Sequence, residues 1–511
     1  MRQSFLAAEP DEKKARALTA LALIVFATLV SVCIGTREFW IDETITAGHV
    51  RTLANTQDAY HPSGYYLLLY LWTRAFGASD LALRAFSVPW ALLCFGVLAE
   101  LAKRALGRWE AVLGLWLFAL SPFVVLYFRM ARFYSLNTAV GLLVAYCAVL
   151  VIQEGKWRHW LGLALAAGAM VELDYIGTMV LMLLYAGLTV LAVRRKHVAR
   201  AAVSAIPFLA LLAVSAATVL QRASALHDFG AREGGGSLAH LALRLLLPPF
   251  ALAVGETTDT WRLYITGPAI LAAAAGAVAG FRLRGAKAGY DVVRWGWPVT
   301  VLVSAGVLST VARSEPLSAA ARSALFTAPL AYLVIAGGLC ALRGPRLRVV
   351  AMAAMVLANL YGLVNYFAGE QFLNPGFAVP WREVARTIEA QRQPGDLIIS
   401  FYDTSILRYA KLPGFIYEWE EQSNPEQMQL VREWSRHGGR VWLIARDRGS
   451  ALSRRLTEER LADLTKRAAR TETLSLMPYS ALDRKVRSFF LRREVPEAYL
   501  TLTLLTPPGK P

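Results

Sequence analysis

Apolar residues in this chain fall into blocks of about 20, the length an α-helix needs to cross roughly 30 Å of hydrocarbon. Eleven such blocks run Leu18–Gly35, Leu83–Ala102, Ala111–Tyr127, Leu136–Ile152, Trp160–Val171, Ile176–Val193, Ala201–Leu220, Tyr264–Phe281, Trp295–Val311, Ala324–Leu342 and Val349–Phe367. A water-soluble fold has no use for this distribution, and it sets the fold class: an α-helical polytopic membrane protein of about 11 spans. The first block follows Lys13, Lys14 and Arg16 and precedes no small-residue cleavage site, so it reads as a retained span with its amino terminus inside.

Charge tests the threading. Lys103, Arg104, Arg108, Lys156, Arg158, Arg194–Lys196, Arg200, Arg282, Arg284, Lys287, Arg294, Arg343, Arg346 and Arg348 all fall in loops of one parity. Asp42, Glu43, Glu172, Asp174, Asp228, Glu256, Asp259 and Glu315 occupy the alternate loops. Because Lys and Arg resist translocation, the first set reads as cytoplasmic and the second as outer. The net charge of +17 follows from those loops, with no nucleic-acid module to suggest another partner. Four cysteines, Cys33, Cys94, Cys147 and Cys340, lie in apolar blocks without metal-type spacing and read as small buried hydrophobes.

The loop after the first block, "FWIDETITAGHVRTLANTQDAYHPSGYYLLLYLW", is the richest in polar and aromatic residues. Asp42–Leu53 reads as one helix and Tyr65–Phe76 as a second. The latter is too short to cross upright and suits the outer interface. Asp42 and Glu43 at a helix start are an ordinary acidic cap. Carboxylates at an apolar boundary also commonly have a task, and neighbours on a helix point about 100° apart, so one acts as base while the other orients a partner or binds a metal. His61-Pro62 is either punctuation before the second helix or a phosphate contact at its amino terminus.

Further candidates surround this loop. In "YFRMARFYS", Arg129 and Arg132 are three apart and would share a helix face, either snorkelling or clamping a phosphate. "VELDY" supplies Glu172 and Asp174, and Arg322 opens the tenth block; each is an interfacial anchor or part of the same site. Cations with a helix end suit a phosphate, and the interface suits a substrate with a long tail. A carboxylate there can deprotonate an acceptor hydroxyl or amine attacking an activated sugar carbon. The transmembrane module is expected to span 1–368. After Phe367 charge rises, and "WREVARTIEAQRQ", "DLIISFY", "RVWLIARD" and "YLTLTLL" read as a helix and three strands of a small outer α/β domain, 369–511.

"FWIDETITAGHV…YHPSGYYLLLYLWTRAFGASDLALRAFSVPWALL" resembles the start of the polytopic GT-C glycosyltransferases. The likeness is to the bacterial branch of the glycosyltransferase 39 family, related to protein O-mannosyltransferases and lipid A aminoarabinose transferases. It is strongest over Trp40–Asn137. The acidic pair, the Pro-aromatic helix and "FG-x-S-x-x-A-x-R" are specific as a set rather than singly. The resemblance implies two juxtamembrane helices and a polyprenyl-phosphate sugar donor. It also implies transfer with inversion, on the periplasmic side of a bacterial inner membrane, to a glycolipid, polysaccharide or protein. It places the base on Asp42, with Glu43 beside it, a phosphate contact on His61 and donor contacts on Arg129, Arg132 and Tyr134. From their place on the same outer face, Tyr65, Tyr66, Glu172, Asp174 and Arg322 are read as further substrate-binding candidates. The lipid A enzymes carry Lys where this chain has His61, which is only partly charged near neutral pH. Such enzymes differ in metal dependence; a divalent metal is compatible with the acids, and no cluster in the sequence decides the matter. Two rivals remain: a flippase of lipid-linked sugars, which predicts polar residues deep in the spans and internal repeats, and a non-catalytic scaffold.

Overall fold

The structure, a computed structural model, describes residues 11–56, 62–194, 198–232, 238–283, 287–311, 319–401, 403–418, 439–447, 451–491 and 494–507. It forms two compact units. Helices make the larger one, and Arg37–Ile45 groups with the chain from Pro375 onward in the smaller.

In chain order the helices are α1 (Glu12–Ser31), α2 (Ile41–His49), α3 (Gly64–Phe76), α4 (Asp80–Ala85), α5 (Ser87–Ala105), α6 (Arg108–Ala119), α7 (Pro122–Phe128), α8 (Tyr134–Gln153) and α9 (Trp157–Val171). They continue with α10 (Tyr175–Arg194), α11 (Val198–Arg232), α12 (Leu238–Val254), α13 (Leu263–Phe281), α14 (Tyr290–Thr310), α15 (Ala319–Ser323), α16 (Ala328–Ala341) and α17 (Pro345–Ala368). Among the described residues eight helices are long and apolar enough to cross a membrane, and α6 with α7, bent by 55°, makes a ninth. The remaining two blocks fall on α9 and α16, which are shorter. Ser121 caps α7 by accepting from the Val124 N–H, and Pro122 opens it, so the third block is broken rather than continuous.

One apolar helix, α12, lies outside the eleven blocks. Its Arg244 guanidinium donates to the Leu308 carbonyl in the last turn of α14, while its other end runs into the loop carrying Glu256. Arg244 and the Glu256 loop therefore sit at the same end of the unit, and α12 does not cross it between these two points.

The loops converge by charge. At one end, the Lys287 ammonium donates to the Lys103 and Leu106 carbonyls, Gln153 bonds to the Ala288 carbonyl, Arg104 and Lys156 pair with Glu154, and Arg200 reaches the Gly155 carbonyl. At the other end lie Glu172, Asp174 and Glu256. Between them the helices pack closely at small residues. A Cβ on Gly338 of α16 would stand 1.7 Å from the Gly276 carbonyl oxygen of α13, so these backbones touch where side chains would hold them apart. Cys94 is buried as expected, but Cys33 lies exposed just past α1.

The smaller unit holds α18 (Trp381–Gln391) and strands β1 (Leu397–Phe401), β2 (Phe415–Glu418), β3 (Val441–Arg446), β4 (Arg470–Pro478) and β5 (Ala498–Thr506), in the order β2-β1-β3-β5-β4. The first three are mutually parallel; β5 runs antiparallel to β3 and β4. Strand alternation sends Ile398, Leu500 and Leu502 to a core with Trp381, Val384 and Ile388 of α18. Ile399, Phe401 and Leu505 point to the opposite core, which includes Leu464 of the helix Ala451–Lys466.

Candidate functional site

Asp42 and Glu43 open α2 as the sequence predicts, and the N–H groups of Glu43 and Thr44 donate to the Trp40 carbonyl at 3.0 and 3.1 Å. The angular offset of neighbours on a helix separates their fates. Glu43 is 1% exposed, whereas Asp42 is only partly covered. Of the two carboxylates, Asp42 is the one left partly open to solvent.

In the helical unit, Arg132 is buried and donates to the Thr46 hydroxyl at 3.1 Å and the Tyr66 hydroxyl at 3.2 Å, with its guanidinium over the Phe133 ring. Tyr66 also meets His49 at a tilt of 44°, and Tyr65 packs edge-on against Tyr66, Phe86 and Phe133. Arg129 departs from expectation. Residues 129–133 are turn and bend between α7 and α8, so Arg129 and Arg132 share no helix face. Arg129 instead donates to the Tyr366 hydroxyl at 2.9 Å and the Leu29 carbonyl at 2.6 Å, and lies against the Tyr366 and Phe367 rings.

A second grouping joins Tyr134 and Arg322 to a residue that sequence reasoning used only as a loop charge. Glu256 is 1% exposed and accepts from the Tyr127 hydroxyl at 3.0 Å, and the Tyr127 ring meets that of Tyr134. Its other carboxylate oxygen is buried and has no hydrogen-bond partner among the described residues. Burial pushes the Glu256 carboxyl up to about 7, against the pull of the Tyr127 hydrogen bond and the Arg322 charge. Gly255 sets this loop: its φ is +82°, and a Cβ there would meet Pro122 at 2.4 Å.

Asp174 has a different occupation. It accepts from Asn137 at 2.7 Å and from the Ile176 N–H at 2.9 Å, capping α10 and tying it to α8. Burial raises its carboxyl to about 6. The Glu172 carbonyl receives the Gly64 N–H at 3.1 Å, where a Cβ on Gly64 would stand 2.6 Å away. His61 lies outside the described residues. No group of three His, Cys, Asp or Glu side chains among the described residues is placed to hold a metal ion.

Residues 60–220 match the family model described as dolichyl-phosphate-mannose-protein mannosyltransferase. No curated protein matches the sequence. Among solved structures the chain is similar to ArnT from Cupriavidus metallidurans bound to undecaprenyl phosphate, with a TM-score of 0.53 and 12% identity, over 98% of this chain and 100% of that one. It is similar also to apo ArnT of the same organism, with a TM-score of 0.52 and 12% identity, over 96% and 98%. The resemblance first carried by "FWIDET" and the Pro-aromatic helix thus extends across both units, and the chain has the fold of a GT-C glycosyltransferase.

Proposed function

We propose that the protein is an inverting glycosyltransferase that moves a sugar from a polyprenyl phosphate to an extracytoplasmic glycolipid, polysaccharide or protein. The observation that carries this reading is a partly exposed carboxylate, Asp42, in the first turn of the short helix after the first apolar span, in a chain of GT-C fold. The similar ArnT structure holds undecaprenyl phosphate, which supports a donor of that lipid class.

Asp42 takes the proton from the acceptor hydroxyl or amine as that atom attacks the sugar carbon. The bond from this carbon to the phosphate oxygen breaks on the opposite face, so configuration inverts, and the electron pair leaves on the lipid phosphate. Cationic side chains are required at the phosphate to stabilise the charge that develops as it leaves. Buried Glu43 orients Asp42's surroundings rather than sharing its task.

The test is Asp42→Asn in purified, reconstituted protein with a labelled polyprenyl-phosphate sugar. Donor binding should persist while transfer falls about 10²- to 10⁴-fold, the usual contribution of a general base. Undiminished transfer removes Asp42 from the mechanism. Lipid movement without sugar transfer by the unaltered protein replaces the transferase with a flippase.

A further inference from the structure

The segment that carries Asp42 is built into the carboxy-terminal unit. The Phe39 N–H donates to the Tyr409 hydroxyl at 2.6 Å, and Arg408 lies over the Phe39 ring at 4.4 Å. Trp40 meets Phe377 edge-on at 4.8 Å, and Glu38 faces Arg382 at 3.7 Å. Two residues beyond Asp42, the Thr44 hydroxyl bonds to the Ser405 hydroxyl at 3.1 Å. Phe39 and Ser405 are essentially without exposed surface, so the contact is anchored on buried side chains of both segments.

The mount itself is stiff. The Asp403 carboxylate accepts the Ser405 N–H at 2.9 Å and pairs with Arg446 of β3 at 2.9 Å, with side-chain exposures of 2% and 11%. The Ser400 hydroxyl, on β1, donates to the Asp403 carbonyl. A short 3-10 turn, Ser405–Arg408, is thereby fixed to two central parallel strands, and it grips the helix start on either side of Asp42.

Resting on the transferase reading above, we propose that Ser405 and Tyr409 are positioning residues for Asp42, and that the carboxy-terminal unit acts in the reaction by fixing the amino-terminal turn of α2. General-base catalysis is steep in geometry, and a displacement of about 1 Å can cost 10²-fold in rate. Loosening either anchor should therefore lower kcat more than it weakens the donor.

The experiment uses the full-length reconstituted protein with a labelled polyprenyl-phosphate sugar. Ser405→Ala and Tyr409→Phe should each reduce kcat about tenfold with donor KM changed less than about twofold. Ser405→Thr, which keeps the hydroxyl, should restore most of the rate. In parallel, Thr44→Cys with Ser405→Cys should form a disulfide on oxidation, since the two side chains meet, and the oxidised protein should keep its transfer activity. If the cross-link forms and both single variants turn over at the unaltered rate, the positioning role is overturned while the transferase reading stands. Equal loss in Ser405→Thr and Ser405→Ala, or absence of the cross-link, overturns it as well. If the unaltered protein transfers no sugar, the reading and this role fall together.

Discussion

Single side chains show most plainly what a sequence conceals. The two arginines of "FRMAR" look equivalent at a spacing of three, yet they end on different partners because the chain breaks between α7 and α8. Arg129 is spent on Leu29, Tyr366 and two aromatic faces. Hydrogen bonds from a charged group contribute about 1.5–3 kcal/mol each. Arg129→Ala, which removes two such bonds, should therefore lower stability by about 3–6 kcal/mol in thermal denaturation of detergent-solubilised protein, with donor affinity nearly unchanged in the fraction that folds. A selective loss of donor affinity at full stability would return Arg129 to the phosphate. Glu256 shows only as a loop charge for the opposite reason: in "VGETTDT" it stands beside Asp259 with nothing to mark it out, and only folding buries it beside Tyr127. Its carboxyl is raised to about 7 in the folded protein, above an unfolded carboxyl near 4.3. The folded state thus holds the proton more tightly, and this group's stabilisation, full below about pH 4, is lost as pH rises through about 7. Glu256→Gln keeps an acceptor for Tyr127 and removes the titration. Its melting temperature should fall less than that of the unaltered protein between pH 5 and 8. An identical slope in both would show that Glu256 does not titrate there.

Elements were legible in proportion to the simplicity of their signal. The sequence predicts a short helix over Tyr65–Phe76, and it forms as α3, Gly64–Phe76, because an aromatic-rich run opens after Pro62 and ends at Gly77 with φ of +80°. The helix α18 and strands β1, β3 and β5 fall on the segments that their periodicity marks. Other elements lacked such marks. In α12, Arg244 and the Pro248-Pro249 pair interrupt the apolar run, which hid a helix that tertiary packing holds together. Strand β4 is largely exposed and polar at the sheet edge, so no buried face announced it. Close helix packing was invisible too, because glycine is common in apolar spans and only the fold distinguishes a contact from an open position. Gly338 faces the Gly276 carbonyl, while Gly306 of α14 has no atom within 4 Å of its would-be Cβ. Gly338→Ala should force α13 and α16 apart at a cost of about 1–3 kcal/mol or more. Gly306→Ala should be neutral or stabilise by up to about 1 kcal/mol through helix propensity. Equal melting temperatures for the two variants would mean that the helices are not in backbone contact.

At the scale of the whole molecule, the sequence assigned loops to two sides by charge alone, and the fold joins the basic loops to one another. Lys287, Arg104, Lys156 and Arg200 come from loops far apart in the chain, yet they share carbonyls and Glu154 at one end of the helical unit. Glu172, Asp174 and Glu256 meet different partners at the other end. A misthreaded span would have mixed the two sets. Cationic loops resist translocation, so the basic end should face the cytoplasm and Asp42 the outside. Two positions read this directly: Arg51, exposed after α2, and Lys103, exposed in the last turn of α5. With the four native cysteines replaced, Arg51→Cys should react with a membrane-impermeant maleimide on intact bacterial cells, and Lys103→Cys should react only after the membrane is opened. Labelling of position 103 but not 51 in intact cells would invert the molecule, place Asp42 in the cytosol and leave a lipid-linked donor on the outer leaflet out of its reach.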